Sequence, residues 1–280
     1  MTDFSPLWPA RLHHLKITSD QPPVLLDFYQ RVLEQEVREL SDGEWALTGG
    51  ERTFVIGRGP RNGLGYSAFA IDDAKRVAAL QEFVTAQGIN VQSSPTPLFG
   101  PEAFAVADPD GNTLVFGTPL DDAPAKTDRL PGRLQHSVVG TPNLQALIDY
   151  RKKLGFVLSD EVKDEDGTLT AAFLRSDDEH HSQAMFHTKD PKFDHFSMEA
   201  TSWNDIRDWA DHLGSMRFPL SWGPGRHGPG NNLFFMVCDA DGNMVEVSAE
   251  IEHMDRDMAP RLWKHEPHTL NLWGVAWMRS

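Results

Sequence analysis

The sequence predicts an α+β fold in two halves, each a mixed sheet with helices on one face, and three repetitions within the chain predict it. Strand-like text, "RLHHLKI" at 11–17, returns as "RLQHSVV" at 133–139. A helical pattern, "LLDFYQRVLEQ" at 25–35, returns as "LIDYRKKLGF" at 147–156. A strand–turn–strand, "DPDGNTLVFGT" at 108–118, returns as "DADGNMVEVSA" at 239–249. Such repetition means that one supersecondary unit is used more than once.

Each element follows from its own pattern. The first strand of each half alternates towards apolar positions and is followed by a break containing Pro. In the helices that follow, Leu25, Phe28, Tyr29, Val32 and Leu33 recur with helical spacing, as do Leu144, Leu147, Ile148 and Leu154. Gly155 reads as a left-handed cap. A second helix in each half, "AALQEFVTAQGINV" at 78–91 and "DIRDWADHLGSMRF" at 205–218, matches its counterpart in length and in a closing Gly. The Asp-Gly dipeptides mark tight turns between paired strands. Strand, helix and several strands thus occur twice per half, and the sheet face away from the helices is free to curl around something. The halves are expected at 1–125 and 130–250, joined by the Pro- and charge-rich linker "PLDDAPAKTDRLPG" at 119–132. A tail, 251–280, carries Trp263, Trp273 and Trp277 and is too apolar to be free. It is expected to pack over the sheet, closing a pocket or a subunit contact.

Composition narrows the function. With 280 residues, 40% apolar and 24% charged, the chain has the balance of a soluble globular protein. A single cysteine, Cys238, excludes an intrachain disulfide and a Cys-rich zinc site. No secretory signal or membrane-length apolar run is visible, so the cytoplasm is the expected location. A formal charge of −15 without a basic run argues against nucleic acid.

The duplication supplies an internal control. With the repeats in register, His136 falls opposite His14, His195 about opposite Ser67, and Glu246 opposite Val115. A lone histidine in a strand is more often a hydrogen-bonded core residue than a ligand. Two imidazoles and a carboxylate in apolar strand text, with the carboxylate absent from the other copy, form instead the set that suits Fe(II) with open positions, or Mn(II), and less well Zn(II). "GPGRHGPGN" at 223–231 then reads as a rigid loop, rich in Gly and Pro, that holds His227 in place.

Taken together, "LQHSVV", "EHHSQAMF", "FDHFSME", "GPGRHGPGNNLFF" and "DADGNMVEV" resemble the type I extradiol ring-cleavage dioxygenases of the vicinal oxygen chelate superfamily. The resemblance covers nearly the whole chain. It implies a two-domain glyoxalase/bleomycin-resistance-like fold of four βαβββ modules, with a degenerate, metal-free first domain. It implies one Fe(II), or Mn(II), held by His136, His195 and Glu246. His181 matches a histidine beside the oxygen site, and His227 a pocket histidine facing the substrate. Trp222, Arg226 and Met236 are expected to border that substrate, and a homo-oligomer is expected. The implied reaction is cleavage of a catechol-type aromatic diol by O2, with a neutral, bicyclic or alkyl-substituted diol favoured because Arg226 is the one cation in the loop. His180, next to His181, is expected to point to the opposite face of a strand. The departure from the family is Met236, where a tyrosine usually donates a hydrogen bond to the substrate. It keeps open a metal-dependent isomerase, lyase or hydrolase on the same chelate. A binding protein that sequesters a ligand in the cleft is the other alternative, disfavoured by the His-His-Glu set.

Overall fold

The computed structural model describes residues 5–41, 43–120, 129–276 and 278. Four βαβββ modules follow one another. The first is β1 (Arg11–Ser19), α1 (Pro22–Arg31), β2 (Glu36–Ser41), β3 (Glu44–Gly49) and β4 (Arg52–Arg58). The second is β5 (Gly63–Ala70), α2 (Ala74–Ala86), β6 (Gln92–Ser93), β7 (Phe104–Ala107) and β8 (Thr113–Gly117). The third is β9 (Arg133–Thr141), α3 (Leu144–Leu154), β10 (Val157–Lys163), β11 (Leu169–Arg175) and β12 (Gln183–His187). The fourth is β13 (Lys192–Ala200), α4 (Trp203–Ser215), β14 (Trp222–Arg226), β15 (Leu233–Cys238) and β16 (Met244–Ala249). The tail adds β17 (Arg261–Lys264) and a short α5 (Pro267–Leu270). The first two modules form an eight-stranded sheet, β2-β3-β4-β1-β5-β8-β7-β6. The last two form a nine-stranded one, β14-β15-β16-β13-β9-β12-β11-β10-β17.

Local chemistry fixes the boundaries. Pro22 opens α1, where the missing N–H costs nothing. Asn143 caps α3 by accepting from the Ala146 N–H at 3.2 Å, and Gly155 closes it at φ 104°. Gly214, expected to close α4, lies inside that helix, and Arg217 takes the left-handed conformation instead (φ 62°). The turns "DPDGN" and "DADGN" are each tied by their leading aspartate. Asp239 Oδ1 accepts from the Asp241 and Asn243 N–H groups, and Asp108 Oδ1 from Asp110 and Asn112. The region 223–226, read as loop, is in fact the edge strand β14, a position that tolerates Pro224 because its missing donor is not needed there. Residues 121–128 of the expected linker, and Trp277 of the tail, lie outside the described residues.

One apolar core runs through both halves, from Leu12, Leu15 and Ile17 to Phe196, Met198 and Trp209. Two further clusters line the opposite sheet faces, Tyr66, Phe99 and Val115 in the first half and Val138, Phe173 and Met236 in the second. The halves grip each other through equivalent positions. Tyr29 of α1 reaches Asp239 at 3.3 Å, and Arg151 of α3 reaches Asp108 at 2.8 Å with both side chains buried. Removing one member of a buried pair leaves an uncompensated charge. Asp108→Asn should therefore lower unfolding stability by about 3–5 kcal/mol, read as a reduced urea midpoint; a change under about 1 kcal/mol would mean that the pair is dispensable.

Among the described residues, no helix is long and apolar enough to cross a membrane.

Candidate metal centre

Strand pairing brings the three candidate ligands together. Ser197 of β13 pairs with His136 on β9 and with Glu246 on β16. His195 stands two residues before Ser197 and so shares its face. The Nε2 of His195 lies 3.5 Å from Glu246 Oε2, and one ligand atom from each of His136, His195 and Glu246 lies within 4.8 Å of the others. All three side chains are buried. Among the described residues this is the one cluster of His, Cys, Asp or Glu arranged to hold an ion.

The same pairing corrects the alignment of the halves. In the first half the residue paired with both His14 and Val115 is Ala68, so the counterpart of His195 is Tyr66, not Ser67. Ser67 faces the other way and meets Ser137 at 3.3 Å. A one-residue slip exchanges sheet faces, and the irregular pairing of β1 with β5 concealed it. The first-half face is filled by Tyr66 and Phe99, with His14 bonded to Thr96 at 2.8 Å.

Two β-bulges orient the ligands. The pairing of β9 with β13 skips Gln135 and Asp194, the residues immediately before His136 and His195. Neighbours in a strand ordinarily point to opposite faces, but a bulge turns one towards the other. Gln135 Oε1 accordingly accepts from His136 Nδ1 at 2.5 Å, and Asp194 Oδ1 from His195 Nδ1 at 2.6 Å. With Nδ1 donating, each ring presents an Nε2 lone pair to the site, the arrangement that orients metal-bound histidines. Glu246 Oε1 is held by Ser197 at 3.3 Å and Asn232 at 3.2 Å, leaving Oε2 towards the imidazoles. Burial holds His136 down at about 3, so it is uncharged at neutral pH. Burial works to raise Glu246, but His227, whose Nε2 lies 3.8 Å from Oε2, and the neighbouring imidazoles of His136 and His195 outweigh it and hold it at about 2. Two imidazole nitrogens and one carboxylate, buried and pre-oriented, fit a divalent ion of the Fe or Mn type.

The three candidate ligands line a cleft whose empty space, open mouth included, is about 430 Å³. His181, His227, Trp222 and Met236 also line it. His227 stacks on Phe234 (3.7 Å, 6° between planes), and its Nδ1 bonds the Leu270 carbonyl at 2.6 Å. Arg226 is not there. Its guanidinium pairs with Glu250 at 2.7 Å, bonds the Asn231 carbonyl and lies over Trp273, so it borders the rim rather than the substrate space. Val138, Phe173, Ala184 and Phe186, missed in the sequence, complete an apolar wall. The alternation along β9 and β12 was the signal that could have found Val138, Ala184 and Phe186. Thr269 and Leu270 of the tail close one side. Glycine allows that approach: a Cβ on Gly228 would lie 2.7 Å from the Thr269 carbonyl, and one on Gly225 2.4 Å from Asn271.

His180 departs from expectation. The "HHS" stretch precedes β12 and is not part of a strand, so alternation does not apply. His180 is fully buried, with Nδ1 2.9 Å from His181 Nδ1 and Nε2 2.9 Å from Asp160 Oδ2.

Comparison with known proteins agrees with the resemblance carried by the motifs. The pattern of the Glyoxalase/Bleomycin resistance protein/Dioxygenase superfamily matches residues 11–116 and 133–247. The chain is 28% identical over 225 residues to metapyrocatechase 2 of Cupriavidus necator, covering 72% of this chain and 68% of that protein. It is 32% identical over 133 residues to the metapyrocatechase of Pseudomonas sp. (strain CF600), covering 47% and 43%. Among solved structures, homoprotocatechuate 2,3-dioxygenase from Arthrobacter globiformis superposes with a TM-score of 0.82 at 24% identity, covering 99% of this chain and 93% of that one. The Brevibacterium fuscum enzyme in complex with 3,4-dihydroxyphenylacetate gives 0.81 at 22%, covering 96% and 91%. Both show the shared fold.

Proposed function

Since the chain belongs to the Glyoxalase/Bleomycin resistance protein/Dioxygenase superfamily, we propose that it is an extradiol dioxygenase. It would cleave a neutral, apolar catechol with O2 at one Fe(II), or Mn(II), held by His136, His195 and Glu246. The observation that carries this reading is the buried His-His-Glu cluster, with both imidazoles turned ligand-side out, in the lining of a largely apolar cavity.

A bound ion with three protein ligands would supply a Lewis-acid centre with open positions where diol and O2 meet. The chain's own residues do the rest. Met236, Phe173 and Phe186 line the space and would exclude water from around the ring. With its Nδ1 bonded to Leu270, His227 offers Nε2 to a substrate hydroxyl and orients it. His181 moves a proton between that diol and the oxygen side of the site, a role suited to imidazole. Both atoms of O2 enter the product, a hydroxymuconic semialdehyde or a related acid. Among the described residues no Lys or Arg lines the cavity, so an acidic substituent would be desolvated without a counter-charge from them. The metapyrocatechase relatives, named for pyrocatechol, support a neutral ring.

The test is O2 uptake and product absorbance by Fe(II)-reconstituted protein across a panel of diols. Neutral catechols should turn over, and 3,4-dihydroxyphenylacetate should do so about tenfold less efficiently or worse. Met236, in place of a phenol donor, favours a second reading, a non-oxygenase on the same ion; failure of every diol to consume O2 would bring it forward. Met236→Tyr restores a donor but narrows the wall. It should raise kcat/KM for catechol and lower it for a bicyclic diol by about tenfold, the scale of a small steric change in an apolar pocket. An unchanged ratio would place residue 236 out of substrate contact.

A further inference from the structure

Behind His181 lies a buried chain of groups that the reaction as outlined does not use. Asp160 on β10 receives four donors: Arg261 Nε at 2.8 Å on Oδ1, then His180 Nε2 at 2.9 Å, Trp263 Nε1 at 2.7 Å and Arg261 Nη2 at 3.1 Å on Oδ2. Arg261 is fixed in turn by both oxygens of Glu252, at 2.9 and 2.7 Å. Burial works to raise the pKa of Asp160, but the hydrogen bonds from His180 and Arg261 outweigh it and hold it below the usual value, so the group is a carboxylate and can only accept.

The direction of every bond then follows. His180 must donate from Nε2, and in its neutral form Nδ1 keeps a lone pair. The contact between the two Nδ1 atoms, at 2.9 Å, requires one proton, and His181 is the ring that can supply it. His181 Nδ1–H therefore donates backwards, and Nε2, its other nitrogen, is left as a bare lone pair. His181 lines the cavity, and its ring centroid is 4.4 Å from that of His136. We propose that Asp160 and His180 are positioning residues that fix the tautomer of His181, so that Nε2 meets the substrate as a proton acceptor first and a donor only afterwards. The tail belongs to this device, because Arg261 and Trp263, which saturate Asp160, both come from β17. The proposal rests on the dioxygenase reading for its catalytic meaning, but its structural content is independent of it.

The experiment is ¹⁵N NMR of histidine-labelled protein with Zn(II) as a diamagnetic occupant, the His181 signals being identified by their loss in His181→Asn. Wild type should show a protonated Nδ1 and a bare Nε2. Asp160→Ala removes the acceptor that keeps the proton on His180 Nε2, so that His180 is free to donate from Nδ1 and reverse the bond to His181. The Nε2 of His181 should then carry the proton, and kcat should fall about 10²-fold with KM and metal content little changed, since a wrong tautomer disables a general base. If Asp160→Ala does not fold, His180 variants decide. His180→Asn keeps a carbonyl oxygen as acceptor and should preserve the tautomer and most of kcat; His180→Ala should lose both. A protonated Nε2 in the wild type, or a His181 tautomer and kcat unchanged in His180→Ala, would overturn the proposal. The expected tautomers in a protein that cleaves no diol would uphold the positioning and sink the dioxygenase reading.

Discussion

Glu246→Gln should leave the protein essentially metal-free, while wild type prepared without oxygen carries close to one Fe or Mn per chain. The amide keeps the shape of the carboxylate and its contacts to Ser197 and Asn232 but removes the only negative ligand. Changing a hydrogen-bond partner of a ligand typically costs about 10–100-fold in affinity, so losing the ligand itself should cost at least about 100-fold. His195→Ala should behave alike. Asp194→Asn, which leaves the ligand but weakens its orientation, should fall in the 10–100-fold range. His14→Ala should change nothing in metal content, because Tyr66 and Val115 stand where the second half has His195 and Glu246. Two ions per chain, or an ion retained by Glu246→Gln, would refute the ligand assignment.

His181→Asn should separate chemistry from metal binding. The His181 side chain touches His136 but is not one of the three converging ligands. Burial, reinforced by the neighbouring histidines, holds its imidazole well below the usual value, so the group begins neutral. The variant should keep one metal per chain and bind diol, yet turn over about 10²–10⁴-fold more slowly, the usual worth of a positioned acid–base. Loss of metal in this variant would make His181 a ligand and the assignment of roles wrong.

The parts of this site that sequence disclosed were those the duplication exposed. Glu246 against Val115 and His136 against His14 could be compared because turns and helices recur at matching places. What the comparison missed has three physical causes. Irregular pairing in both halves, between β1 and β5 and at Gln135 and Asp194, breaks the two-residue alternation by which faces are counted, which hides Tyr66 as the counterpart of His195 and both orienting residues. Partners distant along the chain carry no local signal: Asp160 meets His180 and Arg261 only through the folding of β10 and the docking of β17. Arg226 was placed by proximity to His227, but adjacent residues diverge, and Glu250 and Trp273 claim its charge. The tail was legible as a packed segment from its tryptophans, and its contribution of Leu270 to the cavity was foreseen only in outline.

The reciprocal grip of the halves bears on how such a chain can change over time. Tyr29 and Arg151 occupy the same place in the repeat, as do Asp239 and Asp108, so each half holds the other as two identical subunits would across a symmetric interface. Joined in one polypeptide, the two surfaces no longer have to be copies. One contact has become phenol to carboxylate and the other guanidinium to carboxylate. The same freedom let Tyr66 and Val115 replace ligands in one copy while the other kept them. A homodimer cannot lose one of its two sites by point substitution; a fused pair can. The half without the His-His-Glu cluster carries the counter-ion for Arg151 and part of the common core, and so any ion bound beside Glu246 would stabilise residues that never touch it.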